Sequence, residues 1–210
     1  KMPALVTSLD WTASQRRLTM RDDPDGVRPD NYGWLPPGRV TDGSAGTSTF
    51  SDCINWMGFN ELTRLLERVG HPRAGEFRAE ADDYRACILR GLRRAASRRE
   101  PVRLNDGTFV PYVPSHLESA GHEETMWYAA VVDGGLEGIL DSGILPPGEP
   151  LEDWVLGNLE DNLFVMAPNL ADEAYFLGHG CAYVRRDQPQ HAIYTLYSVT
   201  ASHMSRQTLT

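Results

Sequence analysis

The sequence predicts an all-α protein, an array of antiparallel helical hairpins with long loops gathered on one rim. Three observations predict it. Apolar residues step by three and four through two neighbouring stretches: Ile54, Met57, Leu62, Leu65, Leu66 and Val69, then Phe77, Ala81, Tyr84, Ile88, Leu92 and Ala95. Only Gly70-His71-Pro72 separates the two runs, which makes them a helical hairpin. Connection lengths also differ sharply, with short links at 70–72 and 186–189 against long ones at 22–50 and 100–125. A ring of hairpins, or a segment of one, produces that asymmetry when one rim carries tight turns and the other builds a cleft.

The elements follow in chain order. Leu5, Leu9 and Thr12 share a stripe on a first helix ending near Arg17. Pro24, Gly26 and Pro29 break helix through a polar turn region at 22–30. The second helix spans 51–69, with Gly70 as its C-terminal cap, and the third starts after His71-Pro72. Asn105-Asp106-Gly107 forms a tight turn between short extended segments. Short helical stretches are expected at 125–133 and 135–140, followed by a helix carrying Leu151, Trp154, Val155, Leu159 and Leu163. Asn169 caps the next helix, with Ala174, Tyr175, Gly178, Cys181 and Ala182 facing inward. Asp187 caps a last helix with Pro189 in its first turn, and Ile193, Leu196, Tyr197, Thr200 and Met204 along it. Leu35-Pro36-Pro37-Gly38 is echoed by Leu145-Pro146-Pro147-Gly148, which suits equivalent corners in a hairpin array.

Composition narrows the function classes. A chain of 210 residues with 41% hydrophobic and 23% charged residues is long enough for a real core and ordinary for a globular domain. The net charge of -9 argues against a nucleic-acid phosphate backbone as partner. The basic run Arg90, Arg93, Arg94, Arg98 and Arg99 reads as a solvated face near a helix C-terminus, where cations suit the dipole. No apolar run is long enough to span a membrane. The first residues lack the basic-then-apolar layout of a signal peptide, and the compartment is left open. Cys53, Cys87 and Cys181 have no metal-ligand spacing and are expected as buried free thiols. There is no nucleophile elbow, P-loop or dinucleotide fingerprint, so neither a cofactor nor a metal is expected.

Asp10-Trp11, Gln15-Arg16-Arg17, Tyr32 to Gly38, Asp42-Gly43, Phe50-Ser51-Asp52 and Asn55-Trp56 together resemble the (α/α) toroid glycosidases. These six-hairpin enzymes include trehalases, processing α-glucosidases and α-rhamnosidases. Tyr183 to Asp187, Tyr194 to Tyr197 and Met204 to Thr208 are similar to a later hairpin in such proteins. The resemblance implies an (α/α) toroid and a carbohydrate substrate. Fewer helices are counted than six hairpins require, so residues 1–210 are expected as one helical-hairpin domain of an incomplete toroid. The remainder of a longer chain is then an expected partner.

Glycoside hydrolysis needs two carboxyl groups, one to protonate the leaving oxygen and one to activate water or attack the anomeric carbon. Asp42 is the first catalytic candidate, in a glycine-flanked loop that lets backbone approach a ligand and at a position resembling the family's loop carboxylates. A turn Asp in Thr-Asp-Gly is the competing reading. Glu123 is the second, chosen over Glu124 from a cluster with His116, Glu118 and His122; a helix first turn is the alternative there. Tyr32 and Trp34 are expected as stacking platforms, with Arg39 on hydroxyls or a uronate. Asp52, His116, Glu118 and Glu124 complete the substrate-binding set, while Trp56 is assigned to the core. Two function classes follow: a glycoside hydrolase-like domain using carboxylate acid/base catalysis, or a non-catalytic helical module binding glycans or a protein. A toroid lyase, using Tyr112 with His116, is a third.

Overall fold

The structure is a computed structural model and describes residues 2–39, 45–118, 135–146, 148–161 and 178–203. Among them are seven helices: α1 (Met2–Arg17), α2 (Thr49–Arg68), α3 (Ala74–Ser97), α4 (Gly135–Ser142), α5 (Pro150–Glu160), α6 (Gly178–Arg185) and α7 (Pro189–His203). Two small antiparallel pairs join them. β1 (Gly38–Arg39) pairs with β2 (Ala45–Gly46), and β3 (Val102–Arg103) pairs with β4 (Phe109–Val110). The protein is mostly helical, as expected. No described helix is long and apolar enough to cross a membrane.

The α2–α3 hairpin is the centre. Its link ends α2 with Gly70 at φ +65; the Gly70 N–H bonds to the Glu67 carbonyl and the His71 N–H to the Leu66 carbonyl. This is a Schellman closure that satisfies two free helix carbonyls. At the other end of α2, Ser48 is the N-cap, its hydroxyl accepting from the Ser51 N–H. Phe77, Ala81, Tyr84, Ile88, Leu92 and Ala95 are all buried, so the periodicity of α3 marks its inner face. One core cluster joins Trp34 and the inner faces of α2, α3, α4 and α5 with Ala182 and Tyr183 of α6. A smaller one packs Leu9 of α1 against Phe59, Leu66, Phe77 and Ala81.

Several expectations change. The basic run is a solvated face only in part: Arg93 and Arg98 are 51% and 55% exposed, yet every arginine of the run has a partner. Arg90 donates to the Tyr32 carbonyl at 2.9 Å, Arg94 and Arg98 pair with Asp30, Arg93 pairs with Glu149, and Arg99 donates to the Leu117 carbonyl. Those arginines clamp three loops onto α3. Cys181 is exposed rather than inward-facing, whereas Cys53 and Cys87 are buried. Asp187 does not cap α7. It takes φ +56 and closes α6 as Gly70 closes α2, with its N–H on Val184 and the Gln188 N–H on Tyr183. Along α7, Ile193, Leu196 and Tyr197 face solvent, while Thr195 is buried and Ala192 packs partly buried against the core. The two Leu-Pro-Pro-Gly corners are not equivalent: Gly148 sits at φ +80 just before α5, while Gly38 enters β1 well before α2. The expected helix at 125–133 and the Asn169 cap lie outside the described residues.

Candidate functional site

The site begins with a chain crossing. Residues 46–49, which lead into α2, lie against residues 114–118. Ser48 and His116 form an antiparallel bridge, the Leu117 N–H donates to Thr47 and the Thr49 N–H to Ser115, and the Thr49 hydroxyl reaches the Pro114 carbonyl. A carboxylate locks the crossing. Glu118 accepts the Thr47 N–H at 2.8 Å on Oε2 and the Thr47 hydroxyl at 2.5 Å on Oε1. The two bonds fix its orientation, as charge-assisted bonds do. Gly46 makes room for this: its φ is +154, and a Cβ there would come to 3.0 Å from Glu118 Oε2 and 3.3 Å from His116 Cδ2. His116 is buried, with Nδ1 at 3.2 Å from the Ser115 hydroxyl and Nε2 without a hydrogen-bond partner.

One turn into α2, Asp52 is buried at 1% exposure. Its Oδ1 accepts the Leu35 N–H at 2.8 Å and the Tyr84 hydroxyl at 2.7 Å, tying α2 to the Tyr32–Gly38 corner and to α3. Burial pushes the Asp52 carboxyl up to about 7, against the pull of the two hydrogen bonds and the positive charge of Arg16; the negative charge of Glu118 adds to the rise. Burial, with Asp52 beside it, likewise raises the Tyr84 hydroxyl, and burial raises the Cys53 thiol.

Arg16 completes the polar centre. Its side chain is fully buried, lies 4.3 Å from the Tyr84 ring centroid, and donates from Nε to the Gly33 carbonyl at 2.8 Å. It also pairs with Glu80 and, at 2.7 Å, with Asp83. Gly91 lets the corner sit this close to α3, since a Cβ there would stand 2.5 Å from the Asp30 carbonyl oxygen and 2.8 Å from Trp34 Nε1.

The residues named from sequence divide three ways. Asp52, His116 and Glu118 come together around the crossing, linked through residues 47–49 and the first turn of α2. Trp34 is corrected: its ring is fully buried, with Nε1 donating to the Cys87 carbonyl at 3.1 Å, so it has no open face for a sugar. Its bulk serves the core beneath the corner instead. Tyr32 is half-buried, and the guanidiniums of Arg28 and Arg90 lie 4.6 and 5.1 Å from its ring centroid, so cations already occupy its π-face. Asp42, Glu123 and Glu124 lie outside the described residues, and of Arg39 only the β1 backbone is described. Trp56 is in the core, with Nε1 donating to the Ala81 carbonyl. Tyr112 and His116, the pair for lyase chemistry, are both buried.

Thr47, Tyr84 and Arg16 are site residues that sequence reasoning missed. Arg16 left a signal: Leu9, Thr12, Ala13 and Arg16 form one buried stripe at helical spacing, so the arginine stands where an apolar residue belongs. Among the described residues no group of three or more His, Cys, Asp or Glu side chains is placed to hold a metal ion. Compared with known proteins, the chain matches no protein-family model, no curated protein and no solved structure.

Proposed function

We propose that this chain is a carbohydrate-acting helical domain of the (α/α) toroid type. Sugar is addressed where residues 46–49 cross residues 114–118, and glycosidic bonds are hydrolysed by Asp42 and Glu123. One observation supports this above all. The two stretches on which the sequence puts its candidate carboxylates are chain neighbours of a single hydrogen-bonded junction, because Asp42 lies four residues before Gly46 and Glu123 five after Glu118. An acid/base pair must flank one bond, so its two carriers have to start from a common place in the fold. The exposed, fixed carboxylate of Glu118 supplies an acceptor for hydroxyl groups, with the buried His116 ring beneath it.

In this scheme one carboxylic acid gives its proton to the leaving oxygen while the other carboxylate draws a proton from the attacking water, or first attacks the anomeric carbon. Glu118 positions rather than reacts, because both of its oxygens are held by Thr47. A panel of aryl glycosides tests the proposal. Asp42→Asn and Glu123→Gln should each abolish the hydrolysis seen with the unaltered chain, at an unchanged melting temperature. Turnover that survives Asp42→Asn would remove Asp42 from the mechanism. Oligosaccharide binding without turnover by the unaltered chain would favour the glycan-binding module.

A further inference from the structure

A cavity of about 500 Å³ lies between the α4–α5 turn and the α6–α7 turn. Its size falls within the ~300–1,000 Å³ usual for small-molecule sites. None of its lining residues belongs to the Thr47–Glu118 junction. Leu145 and Gly148 of the second Leu-Pro-Pro-Gly corner form one wall, and Glu152, Arg185, Arg186 and Gln188 bring polar groups to the rest.

The two arginines differ. Arg186 is engaged at all three nitrogens: Nε donates to the Gln188 side-chain oxygen, Nη1 to Glu152 at 2.9 Å and Nη2 to Asp153 at 2.6 Å. That network crosses from α6 to the first turn of α5 and holds Glu152 as a buried carboxylate at 6% exposure. Arg185 reaches the Leu140 carbonyl near the end of α4 with Nη2, and among the described residues no carboxylate pairs with it. Two carboxylates shared by Arg186 leave an excess of negative charge on that side, and on the other Arg185 is a cation with no carboxylate partner among the described residues.

The geometry points to a binding site for a small sugar acid, its carboxylate on Arg185 and its hydroxyls donating to Glu152 and Asp153. A neutral sugar would leave the guanidinium without its charged partner. A doubly charged phosphate would face the two carboxylates. A hydroxylated monocarboxylate satisfies both sides. This site is separate from the one proposed above and stands or falls without it.

Titration calorimetry on the full chain with D-glucuronate tests the assignment, with D-glucose and glycine as comparators. Glucuronate should bind saturably; glucose, which lacks the charge-assisted contact, and glycine, which has the carboxylate but no hydroxyls, should each bind at least about tenfold more weakly. Arg185→Gln keeps a polar side chain but removes the charge, and should weaken glucuronate by a similar factor at an unchanged melting temperature. Gln188→Glu keeps the acceptor for Arg186 and adds an anion at the rim, and should also weaken it. Failure of glucuronate to saturate, equal binding of glucose or glycine, or either variant binding like the unaltered chain overturns the assignment.

Discussion

The first half of the chain and its last hairpin solve the burial problem in opposite ways. Around α1, α2 and α3, polar groups lie inside and are interlocked: Arg16 with Gly33, Glu80 and Asp83, Asp52 with Leu35 and Tyr84, Glu118 with Thr47. In α6 and α7 large apolar groups lie outside, with Val184 67% and Tyr197 70% exposed. There Ala182, Tyr183 and Thr195 make the inward contacts. The difference teaches where specificity is held. Apolar contacts tolerate rearrangement, whereas a buried charge or carboxylate is stable in one arrangement only. The loop corner beside the proposed site is therefore fixed by hydrogen bonds as much as by packing.

Replacing Arg16 tests that contrast most severely. Arg16→Met keeps an unbranched apolar stem but takes the guanidinium from the Gly33 carbonyl, Glu80 and Asp83, and should cost about 3 kcal/mol in urea denaturation. A change on the α7 surface such as Tyr197→Ser should stay within about 0.5 kcal/mol. Equal losses at both places would erase the contrast.

Asp52 sharpens it through pH. Its folded-state pKa is raised above the ordinary 3.8 to about 7. Its contribution is therefore full below the ordinary value and is lost as pH rises through about 7. Asp52→Asn retains an acceptor for the Leu35 N–H and the Tyr84 hydroxyl without the titration. The unaltered chain should lose on the order of 4 kcal/mol of unfolding free energy across that interval relative to Asp52→Asn. Parallel pH profiles for the two proteins would show that the carboxyl is not held in this environment.

Gly91→Ala is expected to cost about 1–3 kcal/mol, because the new methyl meets the Asp30 carbonyl at 2.5 Å and the corner must shift. The smallest effect belongs to the far hairpin. Asp187 occupies a left-handed position at φ +56 that glycine takes without strain. Asp187→Gly should raise the midpoint of thermal unfolding by an amount equivalent to about 0.5–1 kcal/mol, and a lower midpoint would mean that the side chain does more there than fill the turn.

What the sequence displayed were the local signals. The α2–α3 hairpin, the turn at Gly107 and the closure at Gly70 were legible because periodicity and turn chemistry are decided within a few residues. The docking of the Tyr32–Gly38 corner was not. It depends on arginines of α3 finding carbonyl and carboxylate partners some sixty residues away in sequence, as between Arg90 and Tyr32, and no short-range pattern encodes such a match. Trp34 reads as a loop aromatic for the same reason, since the pocket that buries it is made by Gly91 and Cys87. On α7 the stripe was visible but not its direction, because periodicity says which residues share a face and not what covers that face. At the site, Asp52, His116 and Glu118 were legible by residue type, while Thr47, which fixes Glu118, was not.

The most direct measurement of the proposed function follows the amide resonance of Thr47 while oligosaccharides are added to the Asp42→Asn chain, which should bind without turnover. Thr47 donates its N–H to Glu118 at the junction, so a sugar seated there should shift that resonance and those of His116 saturably, with α7 resonances unmoved. A panel in which some sugar binds yet leaves Thr47 and His116 unshifted, or in which none binds at all, would contradict a carbohydrate site at this crossing.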